Sequence, residues 1–518
     1  MAANAYEELE KRFRRISRIE HMLSIGKWDE AVCMPVGGGA GRAAALAELS
    51  TIRNEMLHDP ALAQHLAEAE AMADLGQWQK ANVREIRRIY ENTVAIPLEL
   101  EEAYNLATLA TEQAWRQCRK DNDWKTFQPL LAKVVELTRE RAHYLAERFN
   151  CEPYAGLMQL YQTDFTRQDI DDCFSALKAE LPPLLQQIML KQQDQRPSPI
   201  SGTFEVAKQQ ALSRQLMQQL GFDFQHGRLD VTHHPFCGGV PQDIRINTRY
   251  YEHDFTESIM ATIHETGHGR YEQGLPSAWL EQPVGQSRGM AIHESQSLLF
   301  EMQIARSKPF LEFLQPLLEQ AFAGGSATPE AFSVANILSV YREVKPGLIR
   351  TSADEVTYPL HIVLRYEIEK DLIEGKATVV DIPERWDAAM QSLLGLSTQG
   401  NFKDGCMQDV HWPSGAIGYF PFYTLGALLA AQLRAAISRA YPDLDAQLAQ
   451  GDVSSIAAWL QQHVWQQGCL LTSRDLIESA CGEALSADYF LQHIKTRYLE
   501  ISEYEGRGEE RKVCSVKD

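Results

Sequence analysis

Apolar residues return every three or four positions along nearly the whole chain up to about residue 190, set among Ala, Glu, Lys, Arg and Gln. That is the helical period, so this part is expected to be a succession of amphipathic helices. Asp59-Pro60, Pro97 and Asn150-Cys151-Glu152-Pro153 punctuate it, and Asp194 to Gly202, with Pro197 and Pro199, reads as a loop. Two short β-capable runs follow, Leu229-Asp230-Val231-Thr232 and Ile244-Arg245-Ile246-Asn247-Thr248, joined through the turn-rich Cys237-Gly238-Gly239. From Asp254 the pattern is helical to the end, broken at Gly324-Gly325, Pro346-Gly347 and Gly400 to Pro421, with the last dozen residues expected to fray. The expectation is one mostly α-helical body with a small antiparallel β-sheet.

Within the helical pattern lies His264-Glu265-Thr266-Gly267-His268. Four residues is a little more than one helical turn, so both imidazoles leave one face, close enough to share a zinc ion, with the Glu265 carboxylate beside them. Phe255, Ile259 and Ile263 supply a buried stripe for this helix. Asp254 to Glu257 has capping-box form, and Gly274 followed by Pro276 marks the stop. A catalytic zinc takes a third protein ligand and keeps one open position. Glu272 shares the helix face but lies roughly 12 Å from His264 along the axis, at ~1.5 Å per residue. Tyr271 and Gly274 stand where a metzincin would have Gly and His. The third ligand is therefore expected first as Glu294, on the next helix, Gly289 to Leu298, with Glu281 and Glu301 on either side of that helix as fallbacks. His293, about 100° around that helix, is expected behind the ligands or against substrate.

Composition narrows the classes. The chain has 518 residues, length enough for a large core, and a formal net charge of −20. No basic stripe interleaved with aromatics is present, which argues against nucleic acid as partner. Nine cysteines without a C-x-x-C pair or a secretory-type leader read as reduced thiols in a cytoplasmic protein, and Cys237 and Cys406 as packing residues. No run approaches the ~20 apolar residues of a membrane span. The most apolar run, Gly426 to Leu433, has helix-core length. Gly37-Gly38-Gly39-Ala40-Gly41 lacks the Lys-Ser/Thr of a nucleotide loop and is expected to be a flexible turn.

An ordered set of motifs extends the metal reading: His234-Pro235-Phe236, Asp243-x-Arg245, His264 to His268, His293-Glu294-Ser295-Gln296, Ile349-Arg350-x-x-Ala353-Asp354 and Gly405-x-x-Gln408-Asp409-x-His411-Trp412. With Trp28-Asp29 and Met34-Pro35 near the start, the chain resembles the carboxypeptidase Taq family of zinc metallocarboxypeptidases. In that family the second motif usually carries Thr two residues after its Arg, where this chain has Asn247 and then Thr248. The resemblance implies a homodimer of mostly helical subunits, similar in fold to neurolysin and angiotensin-converting enzyme, with a long active-site groove. It implies a single peptidase domain over residues 1–518, with 1–200 covering the groove and 201–518 catalytic. It also implies removal of single C-terminal residues with broad specificity, proline disfavoured, using zinc or cobalt. By motif match His264, His268 and Glu294 are the metal ligands, and Glu265 is the general base for a water activated by the metal.

The remaining roles follow from what the reaction needs. A tetrahedral oxyanion requires a donor besides the metal, and Tyr419, His234 and His411 are the candidates. A free C-terminal carboxylate suits a planar guanidinium fork, for which Arg350 is first choice and Arg245 second. The competing expectation for Arg350 is an ion pair with Asp354. Asp243 is a candidate to orient a ligand histidine. Gln408 and Asp409 either line the site or brace its loop. A metallo-oligopeptidase of the same fold would share all the metal apparatus, and an inert metal-binding scaffold would have no use for Glu265.

Overall fold

The computed structural model describes residues 4–193, 196–232, 235–322 and 329–499. His234, the Gly324-Gly325 break and the C-terminal tail lie outside these residues. The first helix, Ala5–Val32, opens on a reciprocal cap: Asn4 Oδ1 accepts from the Glu7 amide at 2.9 Å and Glu7 Oε2 from the Asn4 amide at 3.1 Å. The glycine run after it is not a flexible turn. Val36–Gly38 forms a 3-10 turn, and Gly39 takes ordinary right-handed angles as the first residue of the helix Gly39–His58. Asp59 then caps Pro60–Glu70, and Gln77–Val94, Leu98–Lys120, Trp124–Phe149, Pro153–Met158 and Arg167–Gln192 follow.

Burial sorts these helices into two groups. Tyr6, Leu9, Phe13 and Ile16 pack with Leu57, Leu62, Leu66, Val83 and Ile86 as one small core. From Ile96 onward, most apolar faces join one large core that continues to Tyr498, and Met217, Phe222, Ile244 and Ile246 form a small separate cluster at the β-sheet. Gly426 to Leu433 is part of that core, inside the helix Pro421–Ala440. Among the described residues no helix is long and apolar enough to cross a membrane.

The β-capable interval makes three strands rather than two: β1 (Gly227–Val231), β2 (Phe236–Val240) and β3 (Asp243–Thr248), in the order β1-β3-β2. The residues expected as a connecting turn, Cys237 to Gly239, are the middle of β2, which pairs with β3 antiparallel. Because β2 takes up that edge, β1 meets β3 on the other side and parallel to it, so the sheet is mixed. Gly239, at φ 88°, permits the tight return: a Cβ there would lie 2.0 Å from Asp243 O. Ile244 and Ile246 point under the helix Thr256–Gln273, and Gly269 of that helix leaves room for them.

Candidate metal centre

The helix Thr256–Gln273 forms as its apolar stripe requires, with Phe255, Ile259 and Ile263 almost wholly buried. Its start departs from a capping box. Asp254 Oδ1 accepts from the Thr256 amide and hydroxyl, both at 2.7 Å, but Glu257 turns outward to Arg249 at 2.9 Å. The second helix, Met290–Leu298, begins where Gln162 Oε1 accepts from the Ala291 amide at 2.9 Å. Two glycines let it approach its neighbours. A Cβ on Gly267 would lie 2.6 Å from Ser297 Cα, and one on Gly426 would lie 2.7 Å from Glu294 Cβ. The helix is thus gripped from two sides, with Gly267 against the backbone of Ser297 and Gly426 against Glu294 itself.

His264, His268 and Glu294 each present one ligand atom, all within 4.8 Å of one another. His268 Nε2 is 3.5 Å from Glu294 Oε2. Two ligand atoms on one tetrahedral ion with bonds of ~2.1 Å stand roughly 3.4 Å apart, so this spacing suits zinc. Glu301 is not one of these three. It sits behind His264, its Oε2 2.8 Å from His264 Nδ1, which leaves Nε2 for the metal. A π-helix, Leu299–Ala305, continues from the Glu294 helix and carries Glu301 to this place, where Arg306 pairs with its other oxygen at 2.5 Å. Glu281 is far from this role: it is ion-paired with Arg18 at 2.7 Å on the surface.

The charges show what the site lacks. Glu265, Glu294 and Glu301 surround His264, and although burial disfavours its cation, the bond to Glu301 and the nearby carboxylates push its pKa up to about 10. His268 is pushed down to about 4 by burial and by His293. Glu265, nearly buried, is pushed up to about 7 by that burial, with Glu294 adding to it. A cluster that draws a proton onto one imidazole because anions crowd it is a cluster suited to a divalent cation. His293 stacks on His268 at 4.5 Å between ring centroids and bonds through Nε2 to Glu272 at 2.9 Å, so Glu272 braces the ligand set from behind.

Across from the ligands stands an aromatic wall. His411 Nε2 is 3.3 Å from Tyr423 Oη, and the Tyr419 ring lies 5.5 Å from His411 and 5.2 Å from Tyr423. Burial raises the pKa of Tyr358, Tyr419 and Tyr423, and the Glu294 carboxylate adds to each. Tyr358 and Tyr423 had no signal in a motif, although Tyr423 falls one turn after Tyr419.

Arg350 is buried and does not pair with Asp354, which instead accepts from the Val356, Thr357 and Lys345 amides. Arg350 Nε and Nη2 reach Asp409 Oδ1 at 3.0 and 2.9 Å, and Nη1 donates to Tyr358 Oη at 2.8 Å. The other Asp409 oxygen pairs with Arg365 at 2.6 Å. Gln408 accepts from the Arg350 amide at 2.8 Å, a bracing contact. Arg245 is held bidentately by Asp243 at 3.0 and 2.7 Å and lies over the Trp28 ring at 4.3 Å. Asp243 therefore orients Arg245 and not a ligand histidine. Asn247 is fully buried, accepting from Trp28 Nε1 at 3.2 Å, while the hydroxyl of Thr248 meets Thr262 of the metal helix at 3.2 Å.

The chain is similar to known proteins along nearly its whole length. The family model described as carboxypeptidase Taq (M32) metallopeptidase matches residues 8–498. The thermostable carboxypeptidase 1 of Pyrococcus furiosus is 34% identical over 494 residues, covering 94% of this chain and 97% of that protein. Carboxypeptidase 1 of Bacillus subtilis is also 34% identical, covering 97% and 99%. Among solved structures, metallocarboxypeptidase 1 of Trypanosoma cruzi superposes with a TM-score of 0.94 at 41% identity, covering 96% of this chain and 99% of that one.

Proposed function

Since the chain belongs to the carboxypeptidase Taq (M32) family of metallopeptidases and is a peptide hydrolase, we propose that it is a zinc-dependent carboxypeptidase removing single C-terminal residues from peptides. Broad specificity with proline disfavoured, cobalt as an alternative metal, a homodimeric state and a cytoplasmic location are parts of the same reading. So is residues 1–200 covering a groove over the catalytic part. What carries it is the grouping of His264, His268 and Glu294 around one point, with Glu265 buried beside them.

His264, His268 and Glu294 would hold the ion. Zinc, when bound, supplies a Lewis acid that polarises a carbonyl and makes a nearby water acidic. Glu265 takes the proton of the attacking water and passes it to the leaving amine, a task suited to a carboxylate whose surroundings lift its pKa toward neutrality. Tyr419 and His411 offer donors to the developing oxyanion, and burial keeps His411 neutral, its pKa near 4, so that it donates without carrying charge. His234 remains a candidate from its motif alone. Arg350 and Arg365 share one carboxylate, so the two guanidiniums and Asp409 keep one net positive charge beside the tyrosines. That surplus is what a substrate's terminal carboxylate would meet, with Arg245 as the second candidate.

A second reading, a metallo-oligopeptidase of the same fold, draws support from Arg350, whose Nε, Nη1 and Nη2 are all engaged within the protein. Mass-spectrometric sizing of products from paired free-acid and amidated peptides, with and without chelator, separates the two. A chelator-sensitive ladder losing one residue at a time from the free acid only is the expected result; equal cleavage of the amide would establish the oligopeptidase instead.

A further inference from the structure

The loop that carries His411 and Tyr419 is tied by a carboxylate that no step of the reaction uses. Glu369, wholly buried on the helix Tyr358–Ile373, accepts from Trp412 Nε1 through Oε1 at 2.8 Å. Its Oε2 accepts from the Gly418 amide at 3.0 Å and from Tyr154 Oη at 2.8 Å. Trp412 follows His411 directly, and Gly418 directly precedes Tyr419. One side chain thus grips both ends of the segment between the two candidate donors.

Its neighbours reinforce the grip. Tyr104 Oη donates to Gly415 O at 2.7 Å, and the Tyr161 ring meets Tyr419 edge-on at 5.2 Å. Gly415 and Gly418 both have positive φ, at 77° and 90°, and a Cβ on Gly415 would lie 2.0 Å from Tyr104 Oη. The same helix also offers Tyr358 to Arg350 and Arg365 to Asp409. It is a template against which the whole substrate-facing loop is set.

We propose that Glu369 is a positioning residue: by bonding Trp412 and Gly418 at once, it fixes His411 and Tyr419 in register with the metal ligands. This rests on the roles given to His411 and Tyr419 above. An apolar side chain would fill the same space, but it would leave two buried N–H groups and a phenol without acceptors. Burial pushes the Glu369 pKa up to about 7, and its three donors oppose that rise. The three bonds therefore offset a desolvation cost that a purely space-filling residue would not carry.

The test is E369Q, with W412F as the milder variant should E369Q fail to fold. A carboxamide accepts through one oxygen only, so its NH₂ must face a donor at one end of the loop. The expected result is kcat lowered about 10- to 100-fold, since small misplacements of reacting groups have effects of that order. KM should stay within about threefold and metal content near about one per chain. Y419F and H411A are measured alongside, and E369Q is combined with each. If either single variant lowers kcat and E369Q then adds little in that background, Glu369 acts through it. Full additivity, or an unchanged kcat in E369Q, overturns the positioning role. If Y419F and H411A both leave kcat unchanged, the roles assigned to those residues fail, and the positioning proposal falls with them.

Discussion

Glu301 Oε2 lies 2.8 Å from His264 Nδ1, and this contact leaves Nε2 as the nitrogen that turns toward His268 and Glu294. The bond raises the basicity of the ring and removes the wrong orientation from competition. E301Q should therefore bind zinc about 10- to 100-fold more weakly. A competition titration against a chromophoric chelator measures it; unchanged affinity would mean that the contact is incidental.

E265Q should separate binding from chemistry. The amide keeps the shape of the carboxylate, so zinc content measured after dialysis should match that of the unaltered protein. Turnover should fall ~10²- to 10⁴-fold, the usual contribution of a positioned proton acceptor.

The same residue sets a pH dependence. Burial first, and then Glu294, lift Glu265 to about 7, and only its ionised form accepts a proton. Cleavage should rise as pH increases toward about 7. A divalent cation at the ligands favours the carboxylate, so the acid limb of kcat/KM should lie no higher than that. A limb found well above 7 would point to a different base.

Gly267 and Gly426 make a stability and metal prediction together. G267A or G426A places a methyl 2.6 to 2.7 Å from the neighbouring helix, where something must shift. Overpacking of this kind costs about 1 to 3 kcal/mol, and here the displaced residue is Glu294 or the backbone just after it. Calorimetry should show a lower Tm and chelator competition a weaker metal site. Loss of stability with full metal affinity would show that the helices separate without moving the ligand.

Acid should unfold the protein through its buried ion pairs. Burial alone would raise Glu85, but Arg288 and Arg88 hold its carboxyl below the ordinary range, and Arg497 and His493 do so for Glu355. A folded carboxyl with a depressed pKa refuses protons that the unfolded chain takes up. The stability it contributes is complete above the unfolded value near 4.5 and is lost as pH falls through it toward the folded value. Tm should be level in this respect above about pH 5 and decline below it. A flat profile down to pH 3 would contradict the assignment of these pairs.

The metal helix was legible because an apolar stripe, a spaced histidine pair and a stop signal coincide within twenty residues. The grouping of Glu294 with the two histidines was foreseeable once helical spacing set Glu272 aside. What sequence hid was long-range pairing. Arg350 has an acid four residues on, yet its partner is fifty-nine residues away at Asp409, because Arg350–Ser352 is a 3-10 turn that points the side chain elsewhere. Cys237 to Gly239 reads as turn because glycines favour turns, and only pairing with β3 makes it a strand. Glu301 reads only as a fallback ligand, and its place behind His264 depends on a helical widening that leaves no compositional mark.

That widening has an evolutionary cost of its own. Between Leu299 and Ala305 each backbone hydrogen bond spans one residue more than in an α-helix, so the bearing of Glu301 and Arg306 depends on how many amino acids are present there. Removing a single codon there would swing Glu301 off the histidine and Arg306 off Glu301. Frame length, together with the carboxylate of Glu301 itself, is what selection must guard in those seven positions.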